Sequence, residues 1–355
     1  MNFFLAFSLS ISVGIFTTLT CIYLLRPAAE HIGLVDTPGG RKMHADAVPL
    51  IGGIAIFVGF CFSLLCLNVS LHDYRGLLAG SAILVLIGVM DDFRELTPRI
   101  RLVGQCLASL LLIEWGHLSV DHLGDLFFFG SVNLGVGSFL FTLFFVLGFI
   151  NAINMIDGHD GLAGTIVLGQ ALLFAFLCMH FHQINNAQVL IIFIAMLSVF
   201  LMFNLPLPWR KRASIFMGDA GSTFIGFVIA WFAVDISQAM FVHKHTSFSY
   251  SPVTILWVLA YPLFDLLAVI LHRLFSRRSP FLASRDHLHY LLVDFGFRPA
   301  KVTFLLFLFS LLLGLMGIIL AEQKIPEPWQ LITFFVVFTF YYLSTLVFQR
   351  KLVPA

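Results

Sequence analysis

Two adjacent carboxylates, Asp91 and Asp92, close an apolar run at residues 77–90 in the stretch "VLIGVMDDFREL". Side by side they repel each other, and beside hydrocarbon each is costly to ionise. Three further clusters carry related chemistry. In "NAINMIDGHDGLAG", a helix continuing past Ile153 would put Asn154 and Asp157 three apart on one face, and Asp157 and Asp160 likewise. Gly158 and Gly161 remove side chains where a ligand's phosphates could approach the backbone. In "FMGDAGST", Gly218 and Gly221 flank Asp219 at a helix start, where free N–H groups favour an anion. Asp219 itself suits Mg²⁺, which is usually held by one or two carboxylates plus substrate phosphates and waters. In "SRDHLHYLL", His287 and His289 are hydrogen-bond donors and Arg285 is a fork suited to phosphate. Together these are acids for a hard cation and bases for a polyphosphate.

Each cluster alone has a plain structural reading. Asp219 could be a helix N-cap, the Asp91–Asp92 pair a solvated loop start, and "DGHDG" simple turn chemistry. A His-x-His in a basic loop is usually a surface feature, and zinc is disfavoured without Cys or a third ligand nearby. What separates the readings is where the elements put the clusters.

Those elements are set by the solvent. Hydrophobic residues make up 59% of 355 and charged residues 11%, against roughly a quarter charged in a soluble domain. With 41 Phe and a mean hydropathy of +0.97, the chain reads as an all-α polytopic membrane protein. The first 25 residues lack a basic leader and read as a retained span. The five cysteines lie in apolar runs with no CxxC, so neither a disulfide framework nor a thiolate metal site is expected. Polar breaks divide the chain into eleven apolar segments: 3–25, 49–69, 77–90, 102–118, 136–156, 162–182, 188–206, 220–240, 252–272, 302–321 and 329–348. The third is short for a span of ~20 residues and is expected to extend.

Arg75, Lys244 and Lys324 are the only cations in one set of loops; the remainder of the 20 Lys and Arg lie in the other. The positive-inside rule makes the second set cytoplasmic, with the N-terminus outside and the C-terminus inside. All four polar clusters then meet the cytoplasmic face, in loops near 26–48, 91–101, 157–161, 207–219 and 273–301. On the outer side, residues 119–135 contain "LFFFGSVNLGVG", where Gly-Ser between two short β-prone runs allows a small hairpin. One integral-membrane domain is expected, with no Walker or Rossmann fingerprint and no nucleic-acid partner. Asp265, inside the ninth segment, is expected to pair with a cation such as Arg273, with a site role as the alternative. His180, His182, His243 and His245 read as surface residues, and Asp235 has no assigned role.

The order and spacing of "LVDTPGGRKMHADAVPLIGGIAIF", "MDDFRELTPRIRLVGQ", "NAINMIDGHDGLAG", "FMGDAGSTFIGF", "PLFDLLAVILHR" and "RDHLHYLL" resemble the polyprenyl-phosphate N-acetylhexosamine-1-phosphate transferases over nearly the whole chain. The resemblance implies transfer of a sugar-1-phosphate, foremost N-acetylglucosamine-1-phosphate, from a UDP-sugar to undecaprenyl phosphate, with release of UMP and use of Mg²⁺ or Mn²⁺. It implies the first membrane step of a cell-surface polysaccharide such as O-antigen, at the cytoplasmic face of a bacterial inner membrane, by a protein that forms homodimers. It makes Asp91 the base or nucleophile, with Asp92 near the metal and Asp219 its ligand. Asn154, Asp157 and Asp160 fall in the nucleotide and metal environment. Arg101 offsets the acids or touches phosphate, and His287 and His289, with Arg285, meet the nucleotide-sugar. The family's His-x-His-His carries Tyr290 at its last position here, which leaves another UDP-N-acetyl sugar open. The triple-histidine "HHHFE" signature of the branch that takes a muramyl-pentapeptide donor is missing. A proton-coupled transporter is the non-enzyme alternative; it would place its acids near the midplane, often in repeated halves.

Overall fold

Each apolar segment of the sequence forms helix. The computed structural model describes residues 3–37, 47–206, 210–242, 251–277, 279 and 285–352. Its helices are α1 (Phe3–Ile32), α2 (Gly52–Cys66), α3 (Arg75–Arg94), α4 (Pro98–Glu114), α5 (Ser138–Ile156), α6 (Leu162–His180), α7 (Ile184–Asn204), α8 (Gly218–Val242), α9 (Pro252–Val258), α10 (Ala260–Phe275), α11 (Leu288–Asp294), α12 (Pro299–Glu322) and α13 (Glu327–Leu352). Among the described residues eight helices are long and apolar enough to cross a membrane. The chain is a multi-pass membrane protein. Of the loops expected at the cytoplasmic face, residues 38–46, 207–209, 278 and 280–284 lie outside the described residues, as do His243 and His245.

Three segments depart from eleven straight spans. The ninth is not one helix: α9 and α10 meet at an angle of 77°. Pro262 has no N–H to give the carbonyl of Val258, four residues back, so the helix cannot continue through it. That carbonyl instead accepts Gln170 Nε2 at 3.3 Å. The other two, α2 with 15 residues and α4 with 17, fall short of the ~20 that a bilayer core requires. The expected extension of the third segment is found, since α3 runs to Arg94 and takes Asp91 and Asp92 into its last turns.

The core is arranged around α8, of which 94% of the apolar window is buried, whereas α13, at 17%, lies at the periphery. α3 packs antiparallel along α8, and small residues allow the approach. A side chain at Gly88 would collide with the backbone of Ala220, and one at Gly80 with the Phe227 ring at 2.6 Å. A short antiparallel pair joins β1 (Val35–Asp36) to β2 (Val48–Pro49). Gly52 and Gly53 at the start of α2 donate to the carbonyls of Phe216 (2.9 Å) and Met217 (3.1 Å), which seats the entry to α8.

The expected hairpin is present with a different first strand. β3 (His122–Gly124) pairs with β4 (Val132–Asn133), while the apolar run 126–129 lies in the loop between them. Phe127, Phe128 and Phe129 are exposed there. β-Propensity marked the aromatic run, but a strand must also have a partner in register.

Candidate active site

The last turns of α3 and the first of α8 are wired to each other. Asp92 Oδ1 accepts the backbone N–H of Asp219 at 2.8 Å, and its Oδ2 accepts that of Ala220 at 3.3 Å. Asp92 is therefore the cap of α8, supplied from another helix. The helix start in "MGDAGS", expected to be open to an anionic ligand, already has its anion. Gly218 has φ +69, and a side chain there would strike the Asp92 carboxylate, so the turn needs glycine on both counts.

Asp91 is buried and half-satisfied. Its Oδ1 accepts the N–H of Leu96 at 2.6 Å, just past the left-handed turn at Glu95 (φ 44) that ends α3. Its Oδ2 has no hydrogen-bond partner among the described residues and faces Arg101 Nη1 at 3.2 Å. The same guanidinium nitrogen lies 3.9 Å from Asp219 Oδ2. Thr97 and Pro98 start α4 and put Arg101 in its first turn. Asp219 Oδ1 accepts Asn154 Nδ2 at 2.6 Å, and Asn154 also donates to Ser222 Oγ at 2.8 Å. Asp91, Asp92, Asp219, Asn154 and Arg101 thus form one cluster.

Residues 157–161 border that cluster. α5 stops at Ile156 and Asp157 is its C-cap, so Asp157 and Asp160 do not share a helix face. Burial, then the charges of Asp219 and Asp160, push the Asp157 carboxyl up to about 7. Asp160 turns away, accepting the N–H of Ala213 at 2.9 Å. Gly161, at φ +74, donates to Asn204 Oδ1 at 2.8 Å, and Asn204 donates on to the carbonyl of Ile215 at 2.9 Å. The loop is thereby tied to the strand of chain leading into α8.

The histidines form a second cluster on the other side of this loop. His289 is fully buried, with both ring nitrogens unpaired among the described residues. Burial holds it well below the ordinary histidine range, so it is a neutral imidazole with one donor and one acceptor to offer. His159 meets its ring edge-on at 5.1 Å. A side chain at Gly158 would collide with the His289 ring and with the Tyr290 hydroxyl at 2.7 Å. His287 is the N-cap of α11, and its Nδ1 meets Asp265 Oδ2 at 2.6 Å. Asp265 Oδ1 accepts the N–H of Leu288 at 3.0 Å and the hydroxyl of Tyr341 at 2.9 Å.

Asp265 therefore holds His287 and not Arg273, the partner expected from sequence. Eight residues along α10 separate Asp265 from Arg273 by ~12 Å, beyond the reach of a salt bridge. Arg273 instead lies 3.6 Å from Asp286. Arg285, expected at a phosphate, is paired with Asp294 at 2.8 Å and lies over the Tyr290 ring at 4.9 Å. Ser222, His159 and Tyr341 were missed as site residues, whereas a site role for Asp265 was open from the sequence. A carboxylate inside an apolar span was a signal for Asp265, but nothing in sequence marks Tyr341.

A family model described as glycosyl transferase family 4 matches residues 74–237, which contain the acidic cluster. The chain is 34% identical over 333 residues, 93% of its length and 88% of the relative's, to the undecaprenyl-phosphate alpha-N-acetylglucosaminyl 1-phosphate transferase of Escherichia coli O157:H7. The protein of that description in Yersinia pestis is 34% identical over 88% of this chain and 84% of its own. That in Haemophilus influenzae is 34% identical over 95% and 93%.

Proposed function

The chain belongs to glycosyl transferase family 4, and from that premise we propose that it transfers N-acetylglucosamine-1-phosphate from UDP-N-acetylglucosamine to undecaprenyl phosphate. An oxygen of the acceptor phosphate attacks the sugar-bearing phosphorus of the donor. A new P–O bond forms, the bond from that phosphorus to the oxygen bridging it to the uridine phosphate breaks, and UMP leaves with that oxygen. The observation that carries this reading is the half-satisfied Asp91. One oxygen is fixed by Leu96 N–H, and the other is buried without a hydrogen bond beside Arg101. A carboxylate so held can take the acceptor's last proton, while Arg101 faces the charge of the phosphates. Neither reactant is chemically difficult to activate; alignment of two anions is the main task.

Among the described residues no three His, Cys, Asp or Glu side chains form a closed metal cage. Mg²⁺ does not need one, because it keeps several waters and takes phosphate oxygens with one or two carboxylates. The donor set fits that habit: Asp219 would hold the ion, with Asp92, which fixes the turn carrying Asp219, beside it. A bound Mg²⁺ or Mn²⁺ would offset the charge on the donor's phosphates. Asp157 borders the same space, Asp160 ties its loop to Ala213, and His287 and His289 are the groups proposed to read the donor's nucleotide-sugar. The cations Arg94, Arg99, Arg101, Arg210, Lys211 and Arg212 gather at this end of the bundle, which supports a cytoplasmic site in a bacterial inner membrane. A surface polysaccharide such as O-antigen is the proposed destination of the product, and a homodimer the proposed assembly.

The test is UMP release by purified protein given undecaprenyl phosphate and, in turn, UDP-N-acetylglucosamine, UDP-N-acetylgalactosamine and the muramyl-pentapeptide donor. Fastest turnover with the first is expected. Turnover with none of them would overturn the reading, and preference for the second would assign Tyr290 to a different sugar.

A further inference from the structure

The α3–α8 seam has a second end. Arg75 opens α3 and Asp91 lies near its close; Asp219 opens α8 and Asp235 lies near its close. At 1.5 Å per residue each pair is ~24 Å apart along its helix. Around Asp235, at the end remote from the acids, the bundle has an open cavity of about 620 Å³. That is within the range of small-molecule sites and large enough for one or two sugar rings.

Its walls combine indole with hydrogen-bonding groups of both kinds. Trp115 lies at the rim, 50% exposed, and Trp231 forms an inner wall. The Trp231 ring can lie close because Gly76 and Gly116 present no side chain to it. Gln183, Asn185 and Asn186 add amides to the lining, and Asp73 and Asp235 add carboxylates. Asn186 is locked: it accepts the hydroxyl of Tyr74 at 2.7 Å and donates to Asp235 Oδ2 at 2.7 Å and Gln183 Oε1 at 3.2 Å. Asp235 Oδ1 then has no partner among the described residues. His117 and His182, also in the wall, hold left-handed backbone at φ 51 and φ 58. Each lies just past a helix end, α4 or α6, where that conformation closes the last turn.

The charges define what could enter. No Lys or Arg is among the described residues of the lining. The nearest cation, Arg75, is used inside the wall, donating to the carbonyl of Trp115 at 3.1 Å and meeting His72 Nε2 at 2.8 Å and His117 Nε2 at 3.2 Å. A guanidinium only donates, so both imidazoles accept through Nε2 and are left with Nδ1–H. A phosphate would find no fork to bind. Among the described residues no three ligands converge for a metal. An ammonium group could meet Asp73 and Asp235, the two carboxylates of the lining, but has no acceptor for the amide and imidazole N–H groups of the wall. A pyranose has hydroxyls that donate and accept together, and a flat C–H face that packs on indole.

We propose that this cavity is a pyranose-binding site, separate from the acidic cluster and at the opposite end of the bundle. The sugar is either a free saccharide or the headgroup of a saccharide carried on a polyprenyl lipid; both present the same ring to the same wall. The site stands independently of the transferase reading.

The test uses the full-length protein in lipid nanodiscs, titrated with N,N′-diacetylchitobiose and separately with N-acetylglucosamine linked to farnesyl diphosphate. Binding is read by saturation-transfer NMR. Both Trp115 and Asn185 are exposed, so Trp115→Ala and Asn185→Ala should fold. Each should weaken sugar binding by at least about tenfold and leave UMP release unchanged. Asp219→Asn should do the reverse, so failure of one site is distinguishable from failure of the other. Tighter Trp115-dependent binding of the lipid-linked probe assigns the lipid-carried source, and equal binding assigns the free saccharide. The proposal is overturned if neither probe binds up to about 20 mM, if binding survives both substitutions, or if ethanolamine binds in a Trp115-dependent manner and the sugars do not.

Discussion

The acidic cluster and the histidine cluster share the loop at residues 157–161 and are built in opposite ways. In the first, Asp92 is held by backbone N–H groups of α8 and Asp219 by Asn154, while the second oxygen of Asp91 is left to an arginine that is 41% exposed. In the second, carboxylate and imidazoles are buried together: Asp265 spends itself on His287, Leu288 and Tyr341, and His289 is the ring left with both nitrogens unpaired among the described residues. One region keeps its negative charge available and the other uses it as scaffolding. The difference separates a place where charge must be managed during reaction from a place where a ligand is recognised before it.

The largest effect that could break this division belongs to Asp91→Asn. If its oxygen takes a proton in the reaction, kcat should fall by about 10²- to 10⁴-fold with the KM for UDP-sugar little changed. Full kcat in steady-state assays would put the chemistry elsewhere. Asp219→Asn comes next. The amide keeps the shape and loses the charge, so turnover should fall on the order of 10²-fold at low Mg²⁺ and recover in part with more Mg²⁺ or with Mn²⁺. Wild-type rates at every metal concentration would remove Asp219 from the ion's environment.

On the recognition side, His289→Ala should raise the KM for UDP-sugar by roughly tenfold and lower kcat less, because the contact is present before and during reaction. Asp265→Asn should act the same way more weakly, through the orientation of His287, with thermal stability reduced by loss of a buried charge-assisted bond. A kcat-only defect in either variant would merge the two regions into one. The smallest effect concerns pH. The folded protein holds the Asp157 proton up to about 7, whereas an unfolded chain releases it near ~4. In metal-free protein stability should therefore be highest below pH ~4 and decline toward pH ~7 as the unfolded state alone gains charge. Asp157→Asn should flatten that decline, by a few degrees in Tm followed by differential scanning fluorimetry.

How much of this was legible in the sequence follows the same division. Asp91, Asp92 and Asp219 stood out because charge at the end of an apolar run is costly wherever it falls, and cost is readable in one dimension. The helical content was legible from the same hydropathy. The pairing of Asp265 with His287 was not, since it joins α10 to the start of α11 across 22 positions of sequence, and Tyr341 carries no mark in an apolar helix. The break before Pro262 was written in the chain but masked by the hydrophobicity on both sides of it. Asp92 as the cap of α8 spans 127 positions of sequence, which no local pattern reports.

The close seam between α3 and α8 has a mechanical consequence. Because Gly80 and Gly88 let the two helices touch along their length, neither can slide or lengthen without the other. One residue inserted at mid-span would turn everything beyond it by about 100° and move it by ~1.5 Å. The acids would lose phase with the tryptophan-lined cavity, whichever end stayed in place. The distance between the ends is thus a fixed ruler of ~24 Å inside a bilayer whose own thickness varies. A thicker membrane can be met only by a change of tilt of the whole bundle or by deformation of the lipid around it. Either would present both ends to their respective surfaces at once.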